Sequence, residues 1–229
     1  MRVPMIKGLL FDYDDTLSDR SMSAYLYYCD ILKRLFPDID PASAELEARA
    51  QQCMTWDEFG RIDKAHVFEE LKAHYDSSID VEHEKQIWYE NFDRFQVVQP
   101  GCYEILAKLK KEYKLGIVTN GAGRTQNAKI DILKLRDYFD TVLVSGDFKA
   151  AKPDPSIYRQ AASDLKLECS EIAFIGDTFA TDLLGAINVG MMPLWFCYKK
   201  ECATRYPVKQ LHAFSDIEDM FLIHNEWNK

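Results

Sequence analysis

No stretch of this chain is long and apolar enough to cross a bilayer. The N-terminal apolar run stops at Asp12, before a membrane helix or a secretory core is completed. Paired cysteines are also missing. The six cysteines (Cys29, Cys53, Cys102, Cys169, Cys197 and Cys202) include no Cys-x-x-Cys. Neither a zinc site nor a disulfide framework is expected, and reduced thiols are. Positive charge is in deficit, with a formal net charge of −9, which argues against a nucleic-acid polymer as partner. A small anion stays within reach, because a lysine and backbone N–H groups can bind one inside an acidic protein. Internal repeats and low-complexity tracts are absent. The expectation is a cytoplasmic protein with no membrane partner. Its 229 residues, 47% of them hydrophobic, can build one large domain or one domain carrying an insertion.

What is there starts with Leu9-Leu10-Phe11-Asp12-Tyr13-Asp14-Asp15-Thr16-Leu17. Ile6 to Phe11 reads as a short buried strand, since a continuous apolar run between polar flanks is the pattern of a central parallel strand. The acids then lie at its C-terminal mouth. A period of two directs Asp12 and Asp14 to one region, where two carboxylates repel unless a cation or a shared proton compensates them. The bland alternative is that they cap a helix and solvate a turn.

From about Ser21 to Phe95 only helical periods occur, broken early by Pro37 and Pro41 and including an amphipathic helix over Asp63 to His74 and an aromatic helix over Trp88 to Phe95. After Pro100-Gly101 the chain alternates. Helix Tyr103 to Glu112 precedes strand Leu115 to Thr119, helix Thr125 to Leu135 precedes strand Thr141 to Val144, helix Pro155 to Leu165 precedes strand Ile172 to Ile175, and helix Thr181 to Val189 precedes strand Pro193 to Phe196. A last helix is expected over about Ile217 to His224. Alternation of this kind implies a parallel sheet with helices on both faces. The predicted organisation is an α/β core of residues 1–17 and 99–229 interrupted by an all-helical insertion over residues 18–98.

Ligands of open parallel sheets bind beyond the C-terminal strand ends, and there the polar residues gather. The second strand ends in Thr119-Asn120-Gly121, which can hold a small anion or merely form a turn. After the third comes Lys152-Pro153-Asp154-Pro155, where Asp154 and Pro155 suit the start of a helix but Lys152 is left over. The fourth ends in Gly176-Asp177, with Asp182 close behind at a helix start. Asp12, Asp14 and Asp177 offer the hard oxygens Mg²⁺ prefers. Thr119 and Lys152 offer the donors and positive charge that a transferred phosphoryl group needs.

In this order, Asp12-Tyr13-Asp14-Asp15-Thr16, Thr119, Lys152 and Gly176-Asp177 with Asp182 resemble the four motifs of the haloacid dehalogenase superfamily. The resemblance spans essentially the whole chain. It implies a Rossmann-like core with a helical cap and a Mg²⁺-dependent phosphatase acting on a small phosphorylated metabolite, a nucleoside 5′-monophosphate or a sugar phosphate. Asp12 would be the nucleophile that becomes an aspartyl-phosphate, and Asp14 the acid and base. The metal would sit on Asp12, Asp177 and the Asp14 backbone carbonyl. Thr119, Asn120 and Lys152 would hold the phosphoryl oxygens, and Asp182 would support the site from behind. Asp15 departs from the glycine many relatives carry. The segments Trp56 to Ile62, Thr119 to Gly121 and Leu135 to Asp140 look most similar to the pyrimidine 5′-nucleotidase branch. This makes Tyr25, Trp56 and Phe59 candidate stacking partners and Arg61 and Arg124 candidate anion contacts, each weighed against plain packing or surface. Other readings stay open: a non-catalytic phospho-ligand or partner-binding protein, a 2-haloacid dehalogenase, which in this family lacks an acid where Asp14 stands, and a sugar phosphomutase. The oligomeric state is not legible.

Overall fold

Six parallel strands form one sheet among the described residues of the computed structural model, which are 5–60, 62–198 and 202–223. They are β1 (Gly8–Phe11), β2 (Lys114–Thr119), β3 (Thr141–Val144), β4 (Ile172–Gly176), β5 (Met192–Phe196) and β6 (Lys209–Leu211), in the spatial order β3-β2-β1-β4-β5-β6. The helices, in chain order, are α1 (Arg20–Leu35), α2 (Ala44–Trp56), α3 (Ala65–His74), α4 (Val81–Asn91), α5 (Cys102–Leu109), α6 (Gly123–Ile132), α7 (Ser145–Phe148), α8 (Pro155–Leu165), α9 (Leu184–Val189) and α10 (Phe214–Glu218). The Cα trace divides into two compact units, Met1–Ser18 with Val98–Lys229, and Asp19–Val97.

β1 is central because it is apolar on both faces. It pairs with β2 on one side and β4 on the other, with Leu10 level with Gly116 and Phe174. Leu9 and Phe11 face one way, into a core with Leu106 and Leu109 of α5 and Phe214 and Ile217 of α10. Leu10 faces the other way, among Val118, Phe174 and the Ile157, Tyr158 and Ala161 side of α8. A strand sandwiched like this has no polar face to show, hence the unbroken hydrophobic run. At Gly116 a Cβ would stand 2.6 Å from Leu10 Cδ2 and 2.7 Å from Thr141 Cγ2, so glycine lets β2 fit between its neighbours.

The helical unit has its own core. Tyr27 meets Trp88, Phe92 and Phe95 edge-on at 5.4–6.1 Å, and Trp88 stacks on Phe92 at 4.3 Å. Those aromatics are therefore packing. Beside them lies a buried charge cluster. Asp57 accepts hydrogen bonds from Tyr28 Oη at 2.8 Å and from Lys64 Nζ, and its other oxygen lies 2.8 Å from Arg20 Nη1.

Boundaries differ from the sequence expectation where helices start and stop. The aromatic segment is the end of α4 followed by a 3₁₀ turn over Phe92–Phe95. α9 is preceded by a π-helical turn over Phe179–Leu183, and α10 runs into another over Asp219–Ile223. His224, the expected end of that last helix, lies outside the described residues. β6 was not expected, since three residues with one buried apolar side chain carry no periodicity. One expectation is corrected outright. Cys197 and Cys202 form a disulfide, with Cα atoms 6.1 Å apart, while Cys29, Cys53, Cys102 and Cys169 are free. Pairing depends on distance and direction in space, which a separation of five residues outside any motif does not announce. Among the described residues no helix is long and apolar enough to cross a membrane.

Candidate active site

The C-terminal ends of β1, β2 and β4 lie side by side, and each delivers one element of the site. β1 hands over to Asp12, whose N–H still bonds the Ile175 carbonyl at 2.9 Å and so continues the ladder by one residue. The chain then turns, with N–H groups of Thr16, Leu17 and Ser18 all bonding the Tyr13 carbonyl. Asp15 sits in that turn at φ 56°. This left-handed conformation is the one glycine adopts freely and aspartate tolerates better than most residues.

Lys152 is the hub. Its ammonium lies 2.5 Å from Asp12 Oδ1 and 2.7 Å from Asp182 Oδ1, and 5.5 Å from the centroid of the Phe174 ring. All three charged groups are buried. Burial favours the neutral amine, yet the two carboxylates outweigh it and hold the Lys152 ammonium above the ordinary lysine value. For Asp12, burial pushes the carboxyl well above the usual range; Lys152 pulls it back, while Asp182 and Asp177 add to the upward push. A charged Lys152 cannot by itself balance so much carboxylate.

Asn120 explains how Lys152 is aimed. Its amide clasps the Lys152 backbone from both sides, Nδ2 donating to the Lys152 carbonyl at 3.0 Å and Oδ1 accepting from the Lys152 N–H at 2.8 Å. The adjoining Lys152–Pro153 peptide bond is cis. Asp154 accepts a bond from the Ser156 N–H at 2.8 Å, with Pro155 in the first turn of α8, as its spacing predicts.

Asp177 and Asp182 leave β4 through Gly176. The Asp182 Oδ2 accepts the Thr178 N–H at 2.9 Å, and the Asp177 carbonyl accepts Trp195 Nε1 at 2.8 Å. Oxygens of Asp12, Asp177 and Asp182 lie within 4.8 Å of one another. These residues fit a hard divalent cation, since three carboxylates against one lysine leave an excess of negative charge and offer oxygen donors only. Asp182 carries Lys152 on Oδ1 and the Thr178 N–H on Oδ2, Asp12 carries Lys152 on Oδ1, and Asp177 Oδ1 accepts the Thr178 hydroxyl at 3.1 Å.

Asp14 is not part of that carboxylate group and is held from α6. Its carboxylate meets Lys129 Nζ at 2.8 and 3.0 Å and Gln126 Nε2 at 2.9 Å, and the same Gln126 amide donates to Thr119 Oγ1 at 2.8 Å. Neither Gln126 nor Lys129 stands out in the sequence. Their only signal is a three-residue spacing on one face of α6, and a polar helix gives no hint which of its faces is buried. Of the other candidates, Arg124 is exposed, Phe59 is 70% exposed, Tyr25 donates its hydroxyl to Glu47 at 2.6 Å, and Trp56 packs against His74 and Tyr75. Arg61 lies outside the described residues.

Residues 6–190 match the family described as haloacid dehalogenase-like hydrolase. The chain belongs to this family. As a haloacid dehalogenase-like hydrolase it is 31% identical over 201 residues to a glyceraldehyde 3-phosphate phosphatase of Pyrococcus abyssi, covering 86% of this chain and 83% of that one. It is 34% identical over 124 residues to the pyrimidine 5′-nucleotidase YjjG of Escherichia coli, covering 52% and 55% of the two chains. Among solved structures, the putative hydrolase YfnB of Bacillus subtilis, described as bound to magnesium, superposes with a TM-score of 0.74 at 19% identity, covering 96% and 99%. The last likeness is one of fold.

Proposed function

We propose that this hydrolase cleaves phosphate monoesters of a small metabolite through a covalent intermediate on Asp12. The observation that carries the reading is the Lys152 ammonium held between Asp12 and Asp182 at the mouth of the parallel strands. The two relatives named above, a sugar-phosphate phosphatase and a nucleotidase by their names, favour a phosphorylated sugar or nucleoside as the substrate class.

A phosphate dianion approaches a carboxylate only if the repulsion between them is screened. Lys152 supplies part of that screening, and Thr119 with the loop at Asn120 and Gly121 would bind phosphoryl oxygens. Asp12 and Asp177, with the Asp14 backbone carbonyl, would hold Mg²⁺, which would neutralise the remaining negative charge when bound. Asp182 keeps Lys152 charged and in place. In the first step an Asp12 oxygen bonds to phosphorus while the ester bond breaks, and Asp14 gives its proton to the departing oxygen. In the second, Asp14 takes a proton from water, the water oxygen bonds to phosphorus, and the Asp12 carboxylate is released with inorganic phosphate.

Phosphate release from sugar phosphates, nucleoside monophosphates and phosphoglycolate, with Mg²⁺ and with EDTA, tests the proposal. Release concentrated on one class, abolished by EDTA and reduced by about a thousandfold or more in a folded Asp12→Asn protein, is the expected outcome. An Asp12→Asn protein as fast as the parent overturns it, as does ligand-induced stabilisation without turnover across the panel.

A further inference from the structure

We propose that Gln126 and Lys129 of α6 are positioning residues that set the orientation of Asp14 and tie it to Thr119. The inference rests on the reading of Asp14 as the group that protonates the leaving oxygen.

Both side chains are spent inside the α/β unit, at 3% and 5% exposure. Lysine is rarely buried without a partner, and Lys129 has one: its ammonium spans both oxygens of Asp14 at 2.8 and 3.0 Å and lies 5.5 Å from the centroid of the Tyr13 ring. The pair is asymmetric, since the Lys129 side chain is 6% exposed and that of Asp14 27%. The carboxylate therefore reaches from the open side toward a cation fixed on the inner side. Gln126 completes the clasp. One amide nitrogen donates at 2.9 Å to Asp14 Oδ2 and at 2.8 Å to Thr119 Oγ1. Where the amide sits is itself constrained. Gly121 has φ 146°, and a Cβ there would stand 2.7 Å from Gln126 Cγ, so the turn after β2 packs directly on the glutamine.

The consequence is a link between two functions. Thr119 would touch the phosphoryl group and Asp14 the oxygen that leaves it, so their separation fixes where the breaking bond can lie. A shared donor from one rigid helix holds that separation. Charge-assisted bonds to both carboxylate oxygens define the plane of Asp14 in a way that a single bond would not.

Leaving-group dependence isolates this role. An alkyl phosphate departs slowly without a proton, whereas p-nitrophenyl phosphate departs readily without one. The ratio of kcat/KM for a hexose phosphate to that for p-nitrophenyl phosphate, measured with Mg²⁺, therefore reports how well Asp14 is aimed. Asp14→Asn serves as the reference, thermal melts establish folding, and Lys129→Met, Lys129→Arg and Gln126→Leu are the variants. We expect Lys129→Met and Gln126→Leu to lower the ratio about 10- to 100-fold. Lys129→Arg should restore most of the loss, and the double variant Asp14→Asn with Lys129→Met should be no worse than Asp14→Asn alone. An equal loss on both substrates, no loss on either, or additive effects in the double variant overturns the positioning role. If Asp14→Asn itself leaves the ratio unchanged, the acid role of Asp14 fails and takes this inference with it. If Asp14→Asn lowers the ratio and both α6 variants leave it intact, only the inference fails.

Discussion

Asp57 shows what a single residue contributes when it is a buried anion shared by two buried cations, Arg20 and Lys64. Burial pushes its carboxyl up, but Arg20 and Lys64 outweigh that and hold it below the usual carboxylate value. Removing it leaves Arg20 and Lys64 without their shared counter-charge. Asp57→Ala is therefore expected to cost the helical unit about 3–5 kcal/mol, read from chemical denaturation. The sign of the pH dependence follows from the direction of the shift. The folded state binds the Asp57 proton more weakly than the unfolded chain, so the ionised carboxylate adds stability above the ordinary carboxylate value. That contribution is lost as pH falls below about 4, toward the folded-state value. A stability profile of Asp57→Asn should accordingly be flatter than that of the parent below about pH 4. An acid limb unchanged by the substitution would assign that limb to other carboxylates.

At the scale of elements, the site is made by how β4 ends. Gly176 closes the strand against the π-helical turn that carries Asp182, and a Cβ at Gly176 would stand 2.5 Å from Asp182 Cβ and 2.6 Å from its carboxyl carbon. Something must shift, and the turn is the softer partner because β4 is locked between β1 and β5. Gly176→Ala is expected to destabilise the α/β unit by about 1–3 kcal/mol. It should also lower phosphatase activity more than that stability loss explains, since Lys152 then loses one of its two carboxylates. Thermal melts beside kcat/KM distinguish this from simple overpacking, which would lower the melting temperature and leave the activity of the folded fraction intact. The strand itself was legible: a glycine and an aspartate directly after Ile172 to Ile175 mark both its end and its direction. The π turn was not, because an extra residue in a helical turn leaves the hydrophobic period almost unchanged.

For the molecule as a whole, the balance of charge matters most. A chain carrying −9 overall brings oxygens of Asp12, Asp177 and Asp182 within 4.8 Å of one another, so without a cation the α/β unit holds carboxylates that repel one another. A divalent cation that binds the folded state relieves the repulsion and stabilises the fold by mass action, by about 2.7 kcal/mol at a hundredfold excess over Kd. For a chain of this size that corresponds to a rise in Tm on the order of 5–10 °C on adding Mg²⁺. EDTA should reverse it, and Asp177→Asn should reduce it to a fraction. A Tm indifferent to Mg²⁺ in the parent protein would argue against metal binding at these carboxylates.

The sequence by itself determined the central strand, the alternation of strands and helices, and the order in which Asp12, Thr119 and Asp177 reach the strand ends, with Lys152 in the loop before α8. Each of these is written in local patterns: an apolar run buried on both faces, a change from helical to alternating periodicity, and polar residues placed where a strand stops. Only the tertiary structure decided what those residues touch. Asn120 clasps the Lys152 backbone across 32 positions, Lys152 meets Asp12 across 140, and Lys129 meets Asp14 across 115. Nothing local distinguishes such a lysine from a solvated one. The Cys197–Cys202 disulfide and β6 belong to the same class, since pairing in space depends on how the sheet places its edges, and the spacing of residues along the chain does not encode it.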